Sequence, residues 1–233
     1  MFEDIVTILS SPTYMGYIWQ GFGTTLAVTL IAALIGLVLG FIVAVVKIAA
    51  MYNKWMKIPS FICGIYTTII RGTPVALQLF LMVFAILVIR GFSPYAAILT
   101  FGINSGAYVS ENIRAGIMSV DNGQMEAGRS LGMPWGATMV KIVFPQAIKN
   151  VVPAIGNEMI ALLKETSIIG WIGRTPGTLT FDLNAAAAEL ANELGGVYLA
   201  PYLIVGCFYL VVVYAMVLIL RLVERRLRKS DRR

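Results

Sequence analysis

The chain has 233 residues, 58% of them hydrophobic and only 13% charged, with a mean hydropathy of +0.82. Soluble domains carry about 25% charged residues, so charge is halved here and a cytosolic globular protein is excluded. The abundance of apolar residues excludes disorder as well. An all-α, polytopic membrane protein fits, folded as a single transmembrane domain over residues 1–233 with the lipid bilayer as its solvent.

The net charge of +6 belongs to cytoplasmic loops on this reading and not to a nucleic-acid surface, because no basic stripe interleaves with exposed aromatics. There is no histidine, and Cys63 and Cys207 both lie in apolar stretches. A His/Cys zinc site and a disulfide framework are therefore not expected. The first charges are Glu3 and Asp4, so no basic region announces a cleaved signal peptide.

In chain order, residues 5–46 carry no charge, and Leu26–Val46 is long enough for a first span. Lys47, Lys54 and Lys57 mark a cytoplasmic edge. Ile58–Ile70 then runs to Arg71-Gly72-Thr73-Pro74. Arg71 in mid-membrane would cost at least a few kcal/mol, and Pro74 suits the first turn of a helix. Both place Arg71 near the cytoplasmic face, Ile58–Ile70 as an interfacial helix and a second span over Thr73–Ile89. One long tilted helix is the alternative. A third span is expected over about Tyr95–Ile113, a cytoplasmic unit over 114–152 and a fourth span over Pro153–Ile172. A polar external loop over 174–200, helical at Asp182–Leu194, leads to a final span over Tyr202–Leu220. With the N-terminus outside, fifteen Lys and Arg fall on inner segments and two, Arg90 and Arg174, on outer ones. That asymmetry sets five spans with the C-terminus cytoplasmic.

Ala32, Gly36, Gly40 and Ala44 recur every four residues in the first span, as Gly102, Gly106 and Ser110 do in the third. Small residues at that spacing let helices approach closely in lipid. Trp19, Tyr198 and Tyr202 fall at expected membrane interfaces.

The segment Glu126-Ala127-Gly128-Arg129-Ser130-Leu131-Gly132-Met133-Pro134-Trp135, continuing to Ile142-Val143-Phe144-Pro145, reads as helix, Gly stop, Pro start, second helix, Pro stop. Spacing alone allows either a docking knob or a merely structural loop. Its sequence resembles the EAA loop of ABC importer permeases. The likeness extends to Gly23-Thr24-Thr25-Leu26, Arg71-Gly72-Thr73-Pro74 with Gln78, Tyr108 with Glu111, Arg114 and Gly116-Ile117, Pro145-Gln146-Ala147-Ile148, Gly156-Asn157-Glu158 and Leu163-Lys164-Glu165-Thr166-Ser167. Together these are similar to the polar amino-acid (histidine/glutamine/arginine-type) permeases from about residue 20 to Glu224-Arg225-Arg226-Leu227. One departure is Gly128, where the family usually has Ala; it should weaken that helix by up to ~1 kcal/mol.

The resemblance implies a type I importer bundle in a bacterial cytoplasmic (inner) membrane. It implies a second permease copy, identical or not, separate ABC ATPase subunits and an extracytoplasmic solute-binding protein. It assigns ATPase coupling to Glu126, Ala127, Gly128, Arg129, Leu131, Gly132, Met133 and Pro134. The chain has no Gly-x-x-x-x-Gly-Lys-Ser/Thr phosphate loop. It is therefore expected to be a transport subunit with no cofactor of its own, ATP and Mg residing on the partner.

The fourth span is unusually polar. Glu158 and Glu165 are seven residues apart and share a helical face, while Asn157 and Lys164 share the adjacent one. Ionisable groups inside a membrane helix face a bundle interior or an aqueous cavity, so these four are candidates for a substrate path. The alternative is that Lys164 and Glu165 pair with neighbours or snorkel outward. Asn104 on the third span and Gln78 on the second are expected to face the same path, and Glu111 to pair with Arg114 or Arg71. Two acids against one lysine lean toward a neutral polar or cationic substrate. An ion-coupled secondary transporter or channel is the competing function, but five spans show no inverted repeat. An intramembrane enzyme lacks a paired nucleophile and base.

Overall fold

The uncharged run 5–46 is not one helix. The computed structural model describes residues 2–87 and 93–229, and it breaks this run at Ser11-Pro12 into α1 (Phe2–Ser10) and α2 (Pro12–Ala49). The Ser11 side chain accepts from the Tyr14 N–H, and Pro12 opens α2, where a missing N–H costs nothing. After a turn at Lys54–Met56 come α3 (Lys57–Gly72) and α4 (Val75–Leu81), the latter running into a π turn at Met82–Ile86. The end of the expected second span at Ile89, the outer Arg90, and Arg232 and Arg233 lie outside the described residues. Next are α5 (Ser93–Met118), α6 (Asn122–Ser130) and α7 (Trp135–Thr138) with a π turn at Met139–Val143. Then come α8 (Phe144–Glu165), a 3-10 turn at Thr166–Trp171, α9 (Leu183–Glu193) and α10 (Leu199–Lys229). The described residues contain no strand.

By length and hydropathy, α2 and α10 each suffice to cross a membrane. The chain segments 54–72 and 75–86 supply a third apolar stretch, bent by 105° at Thr73-Pro74. The break therefore falls where Arg71 and Pro74 place it, and one continuous tilted helix is not formed. Two expectations along the later chain need correction. Pro145 does not stop a helix: it lies in the first turn of α8, directly after the π turn, where its ring meets no clash with a tightly wound preceding turn. The fourth polar-apolar helix thus starts at Phe144, keeps Pro153 inside it and ends at Glu165. The segment read as the fourth span's last turn is 3-10.

α2 and α5 form the centre. A Cβ added to Gly36 would stand 2.9 Å from the Ser105 side chain, and one at Gly40 2.6 Å from Val109. In return, a Cβ at Gly102 would stand 2.6 Å from Ile35 and one at Gly106 3.0 Å from Leu39. Each helix thus seats its larger side chains in the other's glycine notches. The repeat read from the sequence is a reciprocal interlock. Around it, one apolar cluster joins Val28, Ala32, Leu79, Val83, Phe101 and Leu162, drawn from α2, α4, the π turn, α5 and α8.

The stretch 174–200, expected as a polar external loop, is folded inward at its helix. Leu183, Leu190 and every alanine of the run 185–188 are buried against α2 and α10. Asp182 caps α9, its Oδ1 accepting from the Ala185 N–H at 2.8 Å, and its Oδ2 is buried without a hydrogen-bond partner. Gly21 and Gly170 make room for it, since added Cβ atoms would lie 2.7 Å from its carbonyl oxygen and 2.6 Å from Oδ1.

Asp182 lies between the last two apolar helices, and burial pushes its carboxyl up to about 7 from an ordinary 3.8, against N–H donors from Ala185, Asn184 and Gly170. The folded chain holds this proton more tightly than the unfolded one. Its contribution to stability is therefore complete below about pH 4 and lost as pH rises through about 7. Thermal unfolding of the purified protein should show a midpoint that falls between pH 5 and pH 8, and Asp182→Asn should flatten that slope. A variant with the wild-type slope would assign the pH dependence to other groups.

Candidate functional site

Thr73 and Pro74 leave the last carbonyls of α3 without helical partners, a costly state away from water. Gln78 answers this: its Nε2 donates to the Ile70 carbonyl at 2.8 Å, and the Thr73 carbonyl and hydroxyl lie within reach at 3.1 and 2.8 Å. Its Oε1 accepts from Asn104 Nδ2 at 3.0 Å. The two amides expected to face a substrate path are thus bonded to each other, and together they tie the bend to α5. Asn104 is buried and Gln78 half-buried.

Two α5 side chains below Asn104, Tyr108 and Glu111, reach other elements. The Tyr108 ring carries the Arg71 guanidinium at 5.3 Å. Glu111 binds Lys47 through one oxygen and Arg114 Nε through the other at 2.9 Å, so one of the two expected partners is correct and Arg71 is not it. Lys47 also donates to the Thr67 hydroxyl at 2.9 Å, joining α2, α3 and α5 at one level. Lys47 as the second partner of Glu111, and Arg71 as the occupant of Tyr108, were not read from the sequence. The Tyr-x-x-Glu-x-x-Arg spacing signals the face but not which cation reaches it.

On α8, Gly156 admits Leu220 of α10, to which an added Cβ would approach within 2.4 Å. With that flank closed, Asn157 is exposed and Glu158 half-buried toward α5, where Ser105 hydrogen-bonds its carboxylate and Arg71 is close enough for its charge to act on it. Glu165 repels Glu158 along the shared face and is in turn attracted by Lys164, which is exposed. Ser105 and Glu158 thus meet between α5 and α8 and Tyr108 and Arg71 between α5 and α3, with Glu165 and Lys164 further along α8.

The segment 122–143 is a rigid unit at the far end of the bundle. Asp121 caps α6 by accepting from the Gly123 N–H at 2.7 Å. At its other end the Met133 N–H donates to the Gly128 carbonyl at 3.1 Å and the Gly132 N–H to the Arg129 carbonyl at 3.0 Å, with Gly132 at φ +81°. This bond pair with a left-handed glycine is a Schellman closure. Arg129 Nη1 adds a bond to the Met133 carbonyl at 3.2 Å. Gly128 is buried, and a Cβ there would come within 2.4 Å of the Thr138 methyl, so α6 lies closer to the next helix than an alanine allows. Glu126, Ala127, Arg129, Gly132 and Pro134 are exposed, Met133 is half-buried, and Leu131 projects with 83% exposure. Trp135 stacks at 4.5 Å on Tyr52, fixing this unit to the connection between α2 and α3.

Sequence and fold together define an apolar helical membrane bundle carrying an exposed helix–Gly–helix unit. The family described as the binding-protein-dependent transport system inner membrane component matches residues 36–229, and the chain belongs to it. It is 39% identical over 218 residues to the arginine transport system permease protein ArtQ of Bacillus subtilis, covering 92% of this chain and 94% of that one. It is 38% identical to the putative glutamine transport system permease protein GlnP of Rickettsia bellii, covering 97% of this chain and 99% of that one. A crystal structure of an amino acid ABC transporter with histidines superimposes with a TM-score of 0.81 at 37% identity, over 94% of this chain and 98% of its own.

Proposed function

We propose that this chain is the membrane-spanning subunit of an ATP-driven importer of polar amino acids. The observation that carries the reading is the division of labour within the chain. A polar cluster around Glu158 sits in the bundle, and a rigid exposed helix–Gly–helix knob stands apart from it on the same continuous helix. The family membership and the relatives named for arginine and glutamine support the substrate class, one cationic and one neutral polar. That pair agrees with the two acids against one lysine in residues 153–172.

In this reading α2, the span that α4 opens, α5, α8 and α10 are the five crossings of a bacterial inner membrane, with α3 at the cytoplasmic interface, the N-terminus outside and the C-terminus inside. Two permease copies enclose the path, a solute-binding protein delivers the amino acid from outside, and separate ATPase subunits hold ATP and Mg. The cytoplasmic unit within 114–152 receives the ATPase through Glu126, Ala127, Gly128, Arg129, Leu131, Gly132, Met133 and Pro134. Asn157, Glu158, Lys164 and Glu165 line the path, while Gln78 and Asn104 hold the wall opposite. Single cysteines at Glu3 and at Ser230, in a protein lacking Cys63 and Cys207, should react with an impermeant thiol reagent from opposite sides of the membrane. Reaction of both from one side would overturn the orientation.

The Schellman closure gives a direct test of docking. A side chain at the left-handed Gly132 costs about 1–2 kcal/mol, enough to shift the knob without unfolding ten helices. Gly132→Asp protein should insert normally but fail to co-purify with its ATPase. Normal co-purification and coupled uptake would remove the docking assignment.

Glu158→Gln keeps the shape of the side chain and removes its charge. A carboxylate inside the bundle carries a desolvation cost of several kcal/mol unless water or a cation compensates it. The α-ammonium group of an amino acid supplies that cation. The variant should assemble with its ATPase and lose at least tenfold in uptake or change its selectivity between L-arginine and L-glutamine. Unchanged uptake and selectivity would make Glu158 a structural residue.

A further inference from the structure

The sequence holds eleven methionines, yet among the described residues only Met51, at 58%, and Met118, at 54%, are exposed. Both border one cavity of about 210 Å³ between the bundle and the knob. Met51 and Tyr52 reach it from the end of α2, and Met118 from the end of α5. Met125 of α6 and Met139 of the π turn, both half-buried, close it from the knob side. Four thioethers thus meet where the knob joins the bundle, and the two at the rim are open to an aqueous reagent.

Met118 is also held in place. Arg114 Nη1, one turn back on α5, lies 2.9 Å from its Sδ, while Arg114 Nε binds Glu111, whose other oxygen binds Lys47. A thioether is a weak acceptor, so this contact leaves the sulfur a second lone pair for solvent. When that pair attacks hydrogen peroxide, the S–O bond forms, the O–O bond breaks and two electrons pass from sulfur to peroxide. The departing hydroxide takes the proton of the new S–OH group, giving the sulfoxide and water. Negative charge on the departing oxygen develops beside the guanidinium, which stabilises it.

We propose that Met118, with Met51 beside it, is a reversible oxidation site for hydrogen peroxide whose sulfoxide form loosens the knob from the bundle. The modification stands apart from the importer reading, and only its consequence for coupled uptake rests on that reading. Oxidation turns a flexible apolar side chain into a polar one and disrupts methionine-rich contacts. A sulfoxide oxygen on Met118 is a full acceptor for Arg114, so the side chain is drawn toward the Lys47–Glu111–Arg114 network and out of the cavity. One on Met51 arises next to Tyr52, whose stacking on Trp135 fixes the knob. Reduction by a methionine sulfoxide reductase and two thiols returns the thioether, with a disulfide and water as the other products.

The test treats the full-length chain in lipid nanodiscs with graded hydrogen peroxide and maps each methionine by mass spectrometry. Met118 and Met51 should convert about fivefold faster than Met125 and Met139, and the difference should vanish in the denatured chain. Arg114→Gln should slow Met118 about threefold and leave Met51 unchanged, which exposure alone would not produce. Limited proteolysis of the connection 119–121 reads the seating of the knob. The oxidised protein should be cut faster, and treatment with methionine sulfoxide reductases and a thiol should restore the original rate. The variant carrying Met51→Leu and Met118→Leu should keep the original rate after peroxide. If that variant does not fold, Met118→Leu alone should lose most of the acceleration. Equal conversion of all four methionines, no slowing in Arg114→Gln, unchanged cutting after conversion, or full acceleration in the leucine variants overturns the proposal. Coupled uptake by the complex with its ATPase and solute-binding protein, measured in parallel, should fall on oxidation and return on reduction. Absence of coupled uptake before any peroxide discards the importer reading, while the mapping and proteolysis still decide the modification.

Discussion

The packing of α2 on α5 is the contact on which the other positions depend. Lipid offers no hydrophobic drive for helix association, so close approach has to come from shape. Here Gly36 and Gly40 receive Ser105 and Val109, and Gly102 and Gly106 receive Ile35 and Leu39. A hand-in-hand fit of this kind allows neither rotation nor sliding of one helix on the other. α5 is therefore held at one rotation, and that rotation decides where Asn104, Ser105, Tyr108 and Glu111 point. The polar cluster is an outcome of a glycine pattern that carries no chemistry itself.

The second constraint is the 105° bend. A chain that breaks helix at Thr73-Pro74 strands the carbonyls that end α3, and in a membrane each stranded group costs several kcal/mol. Gln78 and Asn104 reduce that cost by bridging from α4 and α5. The gain is positional. A straight helix would carry Arg71 onward through the bilayer, whereas the bend stops α3 there with Arg71 on Tyr108. It also leaves Ile58, Ile62, Ile65 and Ile69 as an exposed apolar stripe along α3, as an interfacial helix requires.

Features of one local residue string were legible in the sequence. Gly132 reads as a left-handed helix stop, Asp182 and the alanines after it as a capped helix, and the spacing of Gly36 and Gly40 as a packing face. Ser11-Pro12 carried a helix-start signal of the same quality, yet it was hidden inside a run defined only by its lack of charge. Features that depend on two distant strings were not legible. Whether Glu111 meets Lys47 or Arg71 is decided by the rotation of α5 and the bend of α3, and no single helix pattern contains either. Gln78 and Asn104 looked like free amides because their partners are a broken backbone and each other. Pro145 looked like a terminator because the π turn before it is invisible to a 3.6-residue pattern. The burial of α9 was missed for a related reason: it depends on Gly21 and Gly170, distant in sequence, facing Asp182.

The same helix carries the knob and the polar cluster. From Trp135 to Glu165 the backbone is helical throughout, through α7, the π turn and α8. At 1.5 Å per residue, Glu158 lies about 35 Å along this rod from Trp135. A rod of that length transmits displacement in proportion to how firmly its near end is held, and the knob is held twice, by the Gly128–Thr138 contact within it and by Trp135 on Tyr52. Tyr52 in turn belongs to the connection that leads into α3. On the importer reading, motion imposed at the knob therefore reaches Glu158 along α8 and Arg71 along α3 by separate routes. Glu158 and Arg71 thus lie on two helical arms that both lead back to the knob.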